Sequence, residues 1–121
     1  NFFSLYVKIL YEKVIFMNLK NQFKLLVLGY YGVLCLDEYD LKVYILKDIE
    51  EYIKAFIKNN PIKDFDYKEM ALKYESESSK KTKLQDTLIV LHKIKAPMEV
   101  ILLVKKHLKE EEEKEKRKRD L

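Results

Sequence analysis

A chain of 121 residues with 24 basic and 20 acidic side chains carries a formal charge of +4, and 48% of its residues are apolar. That length suits one domain, and that apolar share excludes collagen-like and wholly disordered classes, which lack the material for a core. Two Gly and two Pro are too few for a sandwich or barrel of short strands, which needs a turn signal about every ten residues.

The charge is uneven along the chain. Residues 1–36 carry a net charge of +3, residues 37–79 of −4 and residues 80–121 of +5. An acidic middle therefore lies between two basic ends.

The first segment, 2–17, reads as a mostly buried helix. Ser4, Lys8 and Glu12 recur every four positions and form one narrow polar stripe. Everything else there is apolar except Lys13, so the helix is expected to pack over most of its circumference. Asn18 to Asn21 predicts a break. Residues 23–36 form a continuous apolar run that fits a buried strand pair or a second buried helix. A lone hairpin in an otherwise helical chain is marginal, which favours the helix. Gly29 and Gly32 cost such a helix about 1 kcal/mol each, and their spacing permits close backbone contact or a turn.

Residues 41–58 are the clearest amphipathic helix. Ile45, Ile49, Tyr52, Ile53, Phe56 and Ile57 share one face. Asp40 is the expected cap, and Asn59-Asn60-Pro61 ends the segment. A shorter helix spans 66–75, with Asp66 as N-cap, Glu69 three residues on, and Tyr67, Met70, Ala71 and Tyr74 on one face. Residues 76–81 read as a polar loop. Helix 82–95 follows, with Leu84, Leu88, Leu91 and Ile94 along its stripe. Ala96-Pro97 breaks it. Pro97 suits the first turn of a last helix that buries Val100, Ile101, Val104 and Leu108. From Lys109 to Asp120 every residue is charged, a solvated helical extension or a frayed tail.

The expected fold is all-α: a small bundle of about five helices with a charged C-terminal helical extension. Residues 1–109 form one domain, with apolar N-terminal helices over 1–36 and amphipathic helices over 37–109. Residues 110–121 are the tail.

No motif assigns a chemistry. Phe23 to Val33 resembles the first strand and phosphate loop of small GTPases. Such a loop continues with Gly, Lys and Ser or Thr to hold phosphate and magnesium. Here Leu34, Cys35 and Leu36 stand in those places, so the resemblance implies no nucleotide site. Cys35 lies in an apolar run, where burial makes a thiol a poor nucleophile. His92 and His107 lack a paired metal spacing and read as helix-surface residues. Asp37, Glu38 and Asp40 lack the spacing of a calcium loop. The chain is expected to be non-enzymatic, with no cofactor and no metal.

Two functional classes remain, with a third reading that starts the chain at Met17. The first is a helical interaction or assembly subunit. The apolar material before residue 37 exceeds what a lone small domain needs. Phe2, Phe3, Tyr6, Ile9 and Leu10 are its candidate contacts with a protein partner or a second copy. The second class is a nucleic-acid binder. Helices 66–75 and 82–95 are similar to helix-turn-helix readers, which pair a short helix with one that exposes polar and basic side chains. Lys80, Lys81, Lys83 and Gln85 would contact phosphates or base edges, aided by Lys116, Arg117, Lys118 and Arg119 of the tail. The loop is longer than the motif's usual three or four or so residues, and the turn glycine is missing. The third reading is a small secreted helical protein. Met17, Lys20 and Lys24 precede the apolar run Leu25 to Leu36 in the layout of a signal sequence. A single cysteine permits no internal disulfide and fits an intracellular setting. No membrane span is expected, because Lys8, Glu12 and Lys13 interrupt the first run and the second falls short of the roughly 20 residues needed.

Overall fold

A computed structural model describes residues 1–120. The chain is all-α. Among the described residues five helices follow one another: α1 (Phe2–Leu34), α2 (Tyr39–Asn59), α3 (Tyr67–Glu77), α4 (Lys80–Lys93) and α5 (Met98–Asp120).

α1 is one helix where a break was expected. Asn18 to Asn21 holds neither Gly nor Pro, and Asn in a helix costs well under about 1 kcal/mol. The i→i−4 ladder therefore continues through it. Asn1 caps the start, its Oδ1 accepting from the Ser4 amide at 2.8 Å. At the far end the Cys35 amide turns back to the Gly32 carbonyl at 3.1 Å. At 1.5 Å per residue such a helix is about 50 Å long.

Its second half is the centre of the molecule. α2, α3 and α4 pack on it, and α5 packs on α4. Leu26 and Val33 of α1 meet Ile45 and Ile49 of α2, Leu84, Val90 and Leu91 of α4, and Val100, Ile101 and Val104 of α5. A second, aromatic cluster forms around Phe23, Val27 and Leu28, against Tyr74 of α3. Phe23 and Phe65 each meet the Tyr67 ring edge-to-face with centroids 4.8 Å apart. A helix surrounded on several sides has no face to make polar, which explains the unbroken apolar run from 25 to 36.

The α1–α4 crossing depends on two glycines. A Cβ on Gly29 would stand 2.6 Å from the Val90 Cγ2, and one on Gly32 would stand 2.6 Å from the Lys83 carbonyl oxygen. Buried Thr87 bridges the crossing. Its hydroxyl lies 2.7 Å from the Lys83 carbonyl oxygen and 3.1 Å from that of Gly29, and donates its one proton between them.

Several boundaries differ from the sequence expectation. Glu38, not Asp40, occupies the N-cap position of α2, without a side-chain cap bond, and Asp40 lies in the first turn. Asp66 does cap α3, accepting from the Glu69 amide at 3.1 Å. The expected loop over 76–81 shrinks to Ser78 and Ser79. Ser79 caps α4, accepting from the Thr82 amide at 3.1 Å. α4 ends at Lys93. Lys95 takes a left-handed φ of 56°, and the Ala96 amide reaches back to the Leu91 carbonyl at 2.9 Å. This C-terminal turn is the one glycine usually makes, and Pro97 follows, disfavouring helix at Ala96.

Candidate functional site

Every residue from 1 to 18 is exposed. The expectation of a buried first segment is therefore corrected. The four other helices all assemble on or beyond the second half of α1, and none is left to cover the first. Twelve large apolar side chains between Phe2 and Met17 face solvent, from 85% exposed at Phe2 to 36% at Phe16. Phe2, Phe3, Tyr6, Ile9 and Leu10 are all among them. Only Ser4, Lys8, Glu12 and Lys13 interrupt the surface. The bundle begins at Phe16, whose ring meets Phe65 edge-to-face at 6.0 Å while the Lys20 Nζ sits 5.1 Å from its centroid.

A second apolar feature adjoins the bundle. An open groove of about 310 Å³ lies between α2 and α3 with α1 as its floor. Phe23, Tyr30, Tyr31, Ile53 and Tyr67 line it, and Glu50 and Lys68 also border it. Burial pushes the Tyr67 hydroxyl pKa up, and that hydroxyl donates to the Asn60 carbonyl.

The basic candidates are brought to one end of the molecule, with acids between them. Lys80 pairs with Glu111 at 3.3 Å, Lys81 with Glu115 at 3.0 Å and Lys83 with Glu75 at 3.3 Å. At Glu111, burial pushes the carboxyl pKa up. Hydrogen bonds from Lys80 and Lys114, with their charge, outweigh it and leave the pKa below its ordinary value. Gln85 is exposed, as are Lys116, Arg117, Lys118 and Arg119 at the end of α5. Cations there suit the helix dipole. α3 and α4 each pack on α1, and the first turn of α4 is tied to α5 rather than standing free.

His92 is exposed as expected, but His107 is buried, only 7% exposed. It extends the α5 stripe of Val100 and Val104 at helical spacing, a signal visible in the sequence. Cys35 is half-buried, and its Sγ donates to the Tyr31 carbonyl at 3.4 Å. Among the described residues, no group of three His, Cys, Asp or Glu side chains is placed to hold a metal ion. No described helix is long and apolar enough to cross a membrane. The run that a cleaved signal would remove holds Phe23 to Val33, on which the bundle packs.

The chain matches no protein-family model, no curated protein and no solved structure.

Proposed function

We propose that the protein is a non-enzymatic assembly subunit that docks on another protein surface through the free half of α1. The observation that carries this reading is the exposed apolar segment Phe2 to Met17. Exposed apolar patches beyond a few hundred Å² mark interaction sites in soluble proteins. A helix of sixteen residues is about 24 Å long and 10 Å wide, presenting roughly 750 Å². Only a partner that encloses the whole helix would approach the roughly 800 Å² that each side buries in a standard interface. Phe2, Tyr6 and Ile9 touch no core residue, so changing them separates docking from folding. The triple variant Phe2→Ser, Tyr6→Ser, Ile9→Ser should keep the wild-type unfolding midpoint. Crosslinked in the cells that produce it, wild type should migrate in a larger complex and the variant should not. Identical migration of the two ends this reading.

A nucleic-acid-binding role is the second reading. It rests on the exposed cluster Lys116 to Arg119, since Lys80, Lys81 and Lys83 already have carboxylate partners. It requires binding to duplex DNA or RNA that weakens steeply with salt. No detectable binding at low salt removes it.

A further inference from the structure

The free half of α1 carries a second periodicity beneath its general apolarity. Phe3, Val7, Leu10, Val14 and Met17 are spaced alternately by four and three residues. That 3.5-residue spacing, held over two heptads, is the one that a two-helix coiled coil uses along its seam. All five side chains are exposed. Phe16 already meets Phe65, from Leu19 onward α1 is partly or fully covered over most of its length, and the repeat stops, because Asn21 and Lys24 occupy its next two positions.

We infer that the occupant of this seam is a second copy of the same chain, paired antiparallel over residues 3–14. This rests on the reading of α1 as a docking helix and names its partner. The first argument is self-complementarity. In antiparallel register, Phe3 faces the second copy's Val14 and Val7 faces the second copy's Leu10. Two-fold symmetry repeats both layers. Each layer sets a larger side chain against a smaller one, as close packing requires. The flanks agree. Tyr6 stands beside the second copy's Lys13 and Ser4 beside its Tyr11, so no like charges meet across the seam.

The second argument is geometric. Packed helices lie about 8–10 Å apart. α2, α3 and α4 pack on α1, whose residues become covered only beyond residue 18, so parallel pairing would bring two bundles side by side into the same space. Antiparallel pairing sends the bundles to opposite ends. The third argument is area. Two such helices in contact cover roughly a third of each cylinder, well below the roughly 800 Å² per partner of a standard interface. Association is therefore expected to be weak. The opposite flank, with Leu5 and Ile9, stays free to join pairs.

The test uses the full chain with Cys35→Ser as background. By sedimentation equilibrium between about 5 and 500 µM, a range bracketing micromolar affinity, the average mass should rise toward two copies or an even multiple. Phe3→Cys and Val14→Cys variants are then treated with a short thiol-to-thiol crosslinker. An equimolar mixture should give covalent dimers at least fivefold above either variant alone. Constant monomer mass, or stronger crosslinking of each variant with itself than in the mixture, overturns the antiparallel pair. An apolar-surface dye separates this failure from failure of the docking reading. A monomer that binds anilinonaphthalene sulfonate, and loses that binding in the Phe2, Tyr6, Ile9 triple variant, still presents a docking helix without self-pairing. A monomer that never binds the dye presents no such surface, and both ideas fall.

Discussion

Two glycines three residues apart have unequal tolerance, because different atoms face them. At Gly29 the obstacle is the Val90 side chain, at 2.6 Å from an added Cβ. At Gly32 it is Thr87 together with the Lys83 carbonyl, part of the α4 backbone. A side chain can shift and a packed helix backbone cannot. Alanine would otherwise gain about 1 kcal/mol in helix propensity at each site, against overpacking of about 1–3 kcal/mol. Gly32→Ala should therefore destabilise by about 2 kcal/mol in urea unfolding, and Gly29→Ala by less. Val90→Ala should partly rescue Gly29→Ala and leave Gly32→Ala unrelieved. Equal losses at the two sites would refute this account of the crossing. Asp86 offers a second test at the same scale. Burial raises its carboxyl pKa, and Lys24 only partly opposes this. A carboxyl whose pKa is raised on folding contributes stability below its unfolded value of 3.8 and loses it as pH rises through the folded value. Asp86→Asn should therefore raise the melting temperature at pH 7, and that gain should vanish near pH 3, below both values. A variant less stable than wild type at pH 7 would show that the Lys24 attraction dominates.

Among the elements, α5 shows how a charged segment is held to the bundle. Its apolar stripe stops at Leu108, yet Glu111 and Glu115 continue the contact with α4 through Lys80 and Lys81. These pairs are partly exposed, so each is worth about 0.5 kcal/mol. The double variant Glu111→Gln, Glu115→Gln should cost about 1 kcal/mol at low ionic strength and much less in 1 M salt. The Glu111 contribution should also fade as pH falls through its lowered pKa, being complete only above the ordinary value of 4.5. A salt-independent loss would mean packing, not charge, joins the segments. The sequence makes α2 legible because its apolar stripe is one-sided, and Ile45 and Ile49 are buried as their spacing requires. Ser-Glu-Ser-Ser-Lys-Lys over 76–81 reads as a loop on composition alone, although Glu77 closes α3 and Ser79 caps α4. Polar residues at helix ends and in loops look alike. The Lys80 and Lys81 partnerships were not legible, because their acids lie about thirty residues away and meet them only through the α4–α5 packing.

At the scale of the whole molecule, α1 is one helix with two environments. Its apolar sequence marks residues 2–36 as material to be buried without saying how many helices remain to bury it. The bundle uses residues 23–34 and leaves 2–15 uncovered. Phe2, Phe3, Tyr6, Ile9 and Leu10 were therefore recognisable as contact residues, but their freedom was not. This division has a dynamic consequence. An isolated helix of about fifteen residues is marginal in water, and Val7, Ile9, Val14 and Ile15 are β-branched, which lowers helix propensity further. In the dilute chain, the amides of residues 5–15 should exchange through local fraying. Those of Val27 to Val33 should exchange only through global unfolding. The expected contrast in protection is at least about 100-fold within a single helix, since a local opening of about 3 kcal/mol less corresponds to that ratio. Raising the concentration should slow exchange at Val7 to Val14 and at Val27 to Val33 by the same factor, because a second copy binds the folded helix and depletes the frayed and the unfolded chain alike. Uniform protection from Val7 to Val33 in the dilute chain would mean that the first half of α1 is already covered. The free helix end, rather than the bundle, would then be the feature to abandon.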